Sequence, residues 1–210
     1  KDIEILSKLS NHYLDLGQLA SAEQYVNTLS ASYPNAVATH RFMGKMAFIK
    51  KDYKQAIEQL SQVNSQQKAL PVVLELVQSY QELGEDAQAI ALIEDLEQVT
   101  QQTLPLKLLL KQAELYTHVA PAKSLKIYNY LLTKTDGHFA LLNNIAWVHF
   151  LQNDGELAES YARKALAKAK DSPEVMNTLG RILNSRNKLT EAQALLKSAY
   201  SNSDANVDYG

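Results

Sequence analysis

The sequence predicts an all-α protein, a right-handed superhelical solenoid of about six helical hairpins, and two spacings support this prediction. A small residue, replaced by valine in one repeat, returns about every 34 residues, at Ser10, Gly44, Val77, Ala113, Ala146 and Gly180. A second small residue follows each of these by about 12 positions, at Ala22, Ala56, Ala89, Ser124, Ala158 and Ala192. A period of about 34 residues is typical of stacked helical hairpins, each of which buries its apolar face against its neighbours.

The apolar residues between these markers fall at helical spacings, which predicts two helices in each repeat. In the first repeat, Leu6, Leu9 and Tyr13 share one helix face, and Gly17 is a residue that commonly ends a helix. Pro34 stops the returning helix because proline lacks a backbone donor. The first three predicted repeats span residues 3–36, 37–69 and 70–103.

The fourth repeat departs from this plan. Its two small residues, Ala113 and Ser124, are one position closer together than in the other repeats, and Pro121 occupies the place of the turn. Proline suits the first turn of a helix, where its missing N–H has no partner to lose. We therefore predict a shortened turn and a second helix from about Pro121 to Thr133. The last three predicted repeats span residues 104–138, 139–172 and 173–206.

Small residues at these positions have a mechanical role. Two helices of a hairpin approach closely only where neither carries a bulky side chain, and a nearby ring fills the adjacent space. Tyr13, Tyr80 and Tyr116 occupy that ring position, whereas Val77 is the poorest fit at the close contact. Because neighbouring repeats share a core, we expect residues 1–210 to form a single solenoid domain.

Composition and charge argue against several functional classes. The net charge of −2 gives no general attraction to nucleic acid or anionic lipid, so neither partner is expected. No apolar run reaches the roughly 20 residues of a membrane span, so we expect no direct membrane insertion. The absence of cysteine excludes disulfides and thiolate metal sites. The five histidines lack metal-ligand spacing and no nucleophile or phosphate-loop motif occurs, so we expect no enzyme, cofactor or metal.

These repeats resemble the tetratricopeptide repeat family over residues 3–206. The best single stretch runs from Leu141 through Trp147 to Leu166, and the segment 177–180 continues the pattern. This part of the chain is similar to repeats of bacterial cell-envelope and exopolysaccharide-export proteins, among them lipoproteins linked to exosortase (PEP-CTERM) sorting systems. That likeness favours a periplasmic or cell-envelope location over a cytoplasmic one, although the sequence leaves the compartment open.

The family resemblance implies that the first helix of each hairpin lines a concave groove that binds a peptide or a partner protein. Arginine and tryptophan often anchor partners, and amides hold peptide backbones through one donor and one acceptor. Asn143 and Asn177 occupy equivalent positions, so we expect them to line up on the inner wall. The candidate partner-binding residues are Arg41, Lys45, Gln78, His118, Asn143, Trp147, Phe150, Asn177 and Arg181.

Several of these residues also have a purely structural interpretation. Trp147 could pack mainly against the neighbouring repeat, Asn143 could lie on the surface without a ligand, and the cations could be solvated. His149 occupies the ring position of its hairpin and is expected in the core. His118 should border the groove beside the altered turn.

The sequence therefore predicts a non-catalytic protein-interaction scaffold. One alternative is a structural spacer that associates with itself through uncapped ends and forms a weak homo-oligomer. Another is an accessory domain of an enzyme. Because the chain begins with Lys1 and stops at Gly210, where a further repeat should start, we interpret it as a fragment of a longer protein.

Overall fold

The computed structural model describes residues 2–100 and 104–207 of the chain. All regular secondary structure in these two ranges is helical. Their twelve helices are α1 (Ile3–Asp15), α2 (Leu19–Ser32), α3 (Val37–Ile49), α4 (Tyr53–Gln66), α5 (Leu70–Glu82), α6 (Asp86–Thr100), α7 (Leu106–Val119), α8 (Pro121–Lys134), α9 (Phe139–Leu151), α10 (Gly155–Lys168), α11 (Pro173–Ser185) and α12 (Leu189–Val207).

The helices pair as hairpins in two compact units. Lys1–Thr103 forms the N-terminal unit with α1 to α6, and Leu104–Gly210 forms the C-terminal unit with α7 to α12. Within each unit the second helix of one hairpin packs against the first helix of the next, and successive first helices also touch. This arrangement confirms the predicted all-α fold of helical repeats. The single continuous right-handed solenoid stays a prediction.

The helix boundaries agree closely with those expected from the sequence. The second helix of the fourth hairpin covers Pro121–Lys134, one residue beyond its predicted end. Residues 101–103, at the end of the third predicted repeat, lie outside the described residues, as do residues 208–210 beyond the sixth.

The small residues lie where paired helices approach each other closely. A Cβ atom added to Gly44 would lie 2.6 Å from Cγ of Leu60, and one added to Gly180 would lie 2.7 Å from Cγ of Leu196. Leucine side chains therefore occupy the space that any larger residue on the facing helix would need. Val77, the poorest sequence match, is nevertheless completely buried.

Five of the six hairpins turn through one residue in the left-handed conformation. These residues take equivalent places after the first helix, and their φ angles are 69° at Gly17, 61° at Lys51, 73° at Gly84, 61° at Asn153 and 60° at Asn187. Glycine and asparagine adopt this conformation readily, whereas lysine does so at a steric cost. In the fourth hairpin a single residue, Ala120 with φ −149°, separates α7 from α8. The shortened turn that the sequence predicts there is confirmed.

A buried carboxylate joins the fifth and sixth hairpins. Glu159 on α10 is 8% exposed and lies 2.9 Å from Arg163, 2.8 Å from Arg186 and 2.7 Å from Lys188. Arg163 also donates two hydrogen bonds, of 2.7 and 2.8 Å, to Glu191 on α12. The cluster thus ties α10 to α12 and to the turn before α12.

Candidate protein-interaction faces

The first helices of the N-terminal unit form one candidate face, which we call the α1–α3–α5 face. Arg41 and Lys45 lie on α3, and Gln78 lies on α5. Arg41 and Gln78 are exposed, and Lys45 is half-buried. The three side chains that the sequence selected in this unit are therefore on successive helices that touch each other.

Acidic neighbours balance the cations of this face. Lys45 Nζ lies 3.5 Å from Asp15 Oδ1 on α1. Burial raises the pKa of the Glu75 carboxyl on α5, while the nearby charges of Lys45 and Arg41 oppose that rise. A partner carboxylate would therefore have to compete with Asp15 and Glu75 for both cations.

In the C-terminal unit, the α7–α9–α11 face carries an aromatic and cationic cluster. The guanidinium carbon of Arg181 lies 4.6 Å from the centroid of the Trp147 ring. The Trp147 and Phe150 rings are 5.1 Å apart and tilted by 35°. Both rings are half-buried and Arg181 is exposed, so the cluster combines apolar area with an accessible positive charge. That combination is frequent among residues that anchor protein partners.

The two equivalent asparagines differ in exposure. Asn177 is exposed on α11, but Asn143 is only 4% exposed on α9. The amide nitrogen of Asn143 lies 3.5 Å from Glu174 Oε1, at the outer limit of a hydrogen bond, and its buried Oδ1 has no partner among the described residues. Asn143 is therefore not on an open wall beside Asn177, because α11 and Glu174 cover it. Its role in partner binding stays a prediction.

His118 lines a small cleft at the same face of the C-terminal unit. The residue is exposed at the end of α7, next to the one-residue turn. We call this space the α7–α9 cleft, and its volume is about 240 Å³. Its lining residues are Glu114, Thr117, His118, Tyr128, Asn144 and Trp147.

Tyr128 and Asn144 also line the cleft, although the groove spacing did not predict them as site residues. Tyr128 comes from the second helix α8, and Asn144 Nδ2 donates a hydrogen bond of 3.4 Å to its hydroxyl. Burial raises the pKa of Tyr128 to about 12, with a hydrogen bond to Thr117 opposing and the Glu114 charge assisting, so the phenol is protonated at neutral pH. One signal was available, since the equivalent core position elsewhere lacks a polar group: Val26, Leu60, Ile93, Ala162 and Leu196.

Hydroxyl groups below the cleft replace the usual apolar contact of the fourth hairpin. Ser124 Oγ donates to the carbonyl of Ala113 at 2.8 Å, and Thr117 Oγ1 donates to the same carbonyl at 3.1 Å. Both hydroxyls are buried and lie 3.3 Å apart. The altered hairpin is therefore held by side-chain hydrogen bonds as well as by close packing.

The acidic and histidine side chains of the described residues are dispersed. In residues 2–100 and 104–207, no three His, Asp or Glu side chains come together as a metal site would require. His149 stacks on Tyr161 at 5.6 Å with nearly parallel rings, and its Nδ1 lies 3.6 Å from Asp154. The expected packing of His149 in the ring position agrees with these contacts.

The length and apolar character of the helices also bear on membrane insertion. Of the helices in the described part of the chain, none combines the length and the apolar character that a bilayer span requires.

The fold and these faces define a class: a helical-hairpin repeat protein with exposed first-helix surfaces. Models of the tetratricopeptide repeat match residues 7–67 and residues 140–171. These segments lie one in each unit. No curated protein sequence matches the chain.

Solved structures share the fold, and two of the three that follow are described as tetratricopeptide repeat proteins. YrrB, described as a TPR protein with an unusual peptide-binding site, superposes with a TM-score of 0.74 at 12% identity over 83% of this chain and 90% of its own. A tetratricopeptide repeat protein from Parabacteroides merdae gives 0.65 at 14% identity over 94% and 77%. MamA from Desulfovibrio magneticus gives 0.69 at 8% identity over 80% and 96%.

Tetratricopeptide repeat models thus match part of each unit, and the solved structures show the same fold. Proteins built from these repeats generally mediate protein–protein interaction, and they are generally not catalytic. The fold alone does not set the function of this chain, which has to be argued from the side chains of the two faces.

Proposed function

We propose that this chain is a non-catalytic scaffold that binds a peptide or an extended segment of a partner protein on its first-helix faces. In the N-terminal unit the contacts would come from Arg41, Lys45 and Gln78. In the C-terminal unit they would come from His118, Trp147, Phe150, Asn177 and Arg181. Asn143 would join them only where the partner displaces Glu174.

The observation that best supports this proposal is the pairing of Trp147 with Arg181. Trp147 is the only tryptophan in the chain, and its side chain is only partly buried. An aromatic ring beside an exposed guanidinium can bury apolar side chains and also form two parallel hydrogen bonds to a carboxylate. The N-terminal face is the weaker contributor, because Asp15 and Glu75 already balance its cations.

A peptide library displayed on phage would test the proposal directly. Peptides are selected on the intact chain and then measured against a Trp147→Ala/Arg181→Ala double variant. We expect a loss of affinity of at least about tenfold, since anchor residues each contribute about 1 kcal/mol or more. The helical circular dichroism spectrum serves as the folding control, and Glu156→Gln on the exposed side of α10 is the matched surface variant. Equal binding by the double variant, or no enriched peptide at all, would refute the proposal.

Self-association is the second candidate, and the last helix favours it. Leu189 and Tyr200 on α12 are 59% and 72% exposed. Apolar side chains at the end of a repeat stack are commonly covered by a further helix or by another molecule. Light scattering over a range of concentrations tests this alternative, and a strictly monomeric chain at every concentration would exclude it. The same result leaves the peptide-binding proposal unaffected.

A role in bacterial envelope, polysaccharide-export or protein-sorting machinery is a further part of the proposal. It is supported by the resemblance of residues 141–180 to repeats of such proteins. Fractionation of cells that express the native full-length gene product would test it. Recovery only in the cytoplasmic fraction would refute the envelope assignment.

A further inference from the structure

The α7–α9 cleft has the chemistry of a receptor for one positively charged side chain. We propose that it takes a lysine or arginine side chain of the bound peptide, held between the Glu114 carboxylate and the Trp147 ring. This inference rests on the proposed function, since it assigns one residue of the peptide that the α7–α9–α11 face would bind.

The size of the cleft favours a single side chain. Its volume of about 240 Å³ lies below the range of about 300 to 1,000 Å³ that is usual for small-molecule sites. All its lining residues come from α7, α8 and α9, so one rigid group of packed helices shapes it. A long, narrow side chain can enter such a space while the peptide backbone stays on the surface.

Glu114 supplies the negative charge. Lys111, one turn earlier on α7, lies 3.1 Å from Oε2 of Glu114, and both side chains are 34% exposed. Within the described residues no hydrogen bond reaches Oε1, so this oxygen can accept from a second cation. Lys111 pairs with Glu114 from the same helix at a half-exposed site, and such pairs are weak enough to be shared or exchanged.

Trp147 supplies an aromatic surface between two neighbours. Its helix, α9, packs against both α7 and α11, and Arg181 approaches the ring from α11. The cleft lies on the α7 side of the same residue. A second cation there would have to stack on the face of the ring opposite Arg181, because the ring quadrupole attracts positive charge at the faces and not at the edge.

Asn144 adds an acceptor to the cleft. Its amide nitrogen donates to Tyr128, which leaves Oδ1 of Asn144 as an acceptor. Thr117 is buried and already bonds to the Ala113 carbonyl and to Tyr128, so the Asn144 and Glu114 oxygens are the acceptors that remain for a ligand. A ligand ammonium or guanidinium group, which only donates, complements these atoms, whereas a carboxylate would face them with its own lone pairs.

The test uses three blocked amino acids: N-acetylarginine amide, its neutral counterpart of matched shape N-acetylcitrulline amide, and the acidic N-acetylglutamate amide. Because the chain has one tryptophan, the indole N–H of Trp147 gives a single assigned signal in a proton–nitrogen NMR spectrum. We expect the arginine derivative to shift this signal in a saturable titration. Glu114→Gln should weaken that binding about fivefold, as loss of one partly exposed ion pair predicts, while Glu156→Gln should leave it unchanged.

The neutral and acidic probes decide the charge preference. Equal binding of the citrulline and arginine derivatives, preferential binding of the glutamate derivative, or no shift with any probe would overturn the inference. The peptide library separates this outcome from the proposed function. Enriched peptides that need Trp147 and Arg181 but contain no lysine or arginine would refute the cation site and leave the peptide-binding scaffold intact.

Discussion

The guanidinium carbon of Arg181 lies 4.6 Å from the centroid of Trp147, so a side chain of the sixth hairpin covers the aromatic ring of the fifth. The two residues occupy equivalent positions in successive first helices. Arg181 therefore links two successive hairpins through its contact with Trp147, and its side chain is also exposed to a partner.

Truncation of Arg181 to alanine should uncover the Trp147 ring with little loss of stability. An exposed cation–π contact contributes about 0.5 to 1 kcal/mol, so the free energy of unfolding should fall by no more than about 1 kcal/mol. Acrylamide quenching of tryptophan fluorescence should increase, since the ring becomes more accessible. Arg41→Ala in the other unit is the control and should not alter the quenching. Unchanged quenching in Arg181→Ala would contradict the contact.

Gly44→Ala should destabilise the chain more than Gly180→Ala. The added Cβ would meet the side chain of Leu60, which is completely buried, and would also lie 3.2 Å from the Leu60 backbone nitrogen. Such overpacking costs about 1 to 3 kcal/mol, against a gain of about 1 kcal/mol in helix propensity. At Gly180 the neighbour is Leu196, which is half-buried and can move more easily.

Denaturant unfolding followed by circular dichroism compares the two glycine variants. We expect a clear decrease in the midpoint for Gly44→Ala and a small change of either sign for Gly180→Ala. The reverse order would mean that Leu60 can relax and that the close approach of α3 and α4 is not a constraint.

The fold was predictable because the same local pattern is repeated. Each hairpin carries its own small residues, apolar stripe and turn, so six weak signals support one another. The shortened turn of the fourth hairpin was also predictable from the sequence, since Pro121 starts α8 directly after the one-residue turn at Ala120. Helix positions follow from local sequence, and local sequence was sufficient here.

The details of the candidate site were less accessible. The spacing of residues along a helix predicts the face on which a residue lies. It does not predict which long side chain from another helix contacts that residue. The burial of Asn143 under Glu174 and the pairing of Lys45 with Asp15 both depend on contacts between different hairpins. Tyr128 lines the cleft from the second helix of its hairpin, whereas the prediction from the sequence considered only first helices as groove-lining.

Lys51→Gly should stabilise the chain, whereas Gly17→Ala should destabilise it. Both positions have φ above 60°, where a Cβ atom costs about 1 to 2 kcal/mol. Glycine removes that cost at position 51 but adds unfolded-state entropy, so we expect a net gain of about 0.5 to 1 kcal/mol. A Cβ at Gly17 would contact nothing within 4 Å, so the loss there would report backbone strain alone.

Thermal melts of the two turn variants should therefore move in opposite directions. Gly84→Ala provides a second test of backbone strain, because Gly84 also has a positive φ and an added Cβ there would contact nothing within 4 Å. If Lys51→Gly lowered the melting temperature, the lysine side chain would have to contribute more than the strain removes.

Glu159→Gln should weaken the C-terminal unit in a pH-dependent manner. Burial opposes ionisation of this carboxyl, but hydrogen bonds from Lys188 and Arg163 outweigh it and lower the pKa of Glu159 below its usual value. A lowered pKa means that the contribution to stability is complete above the unfolded-state pKa of about 4.3 and is lost as pH falls through the folded-state pKa. At neutral pH the loss should be about 2 kcal/mol, as for hydrogen bonds to a charged group with little exposure.

The free energy of unfolding of the parent chain and of Glu159→Gln should therefore differ at neutral pH and converge in acid, where the parent carboxyl becomes protonated. Glu191→Gln is the matched control. Hydrogen bonds from Arg163 lower the pKa of Glu191, but its side chain is 45% exposed, so solvent should reduce its effect. A difference between the parent and Glu159→Gln that persisted unchanged below the folded-state pKa would show that shape and packing at position 159, not its charge, link α10 to α12.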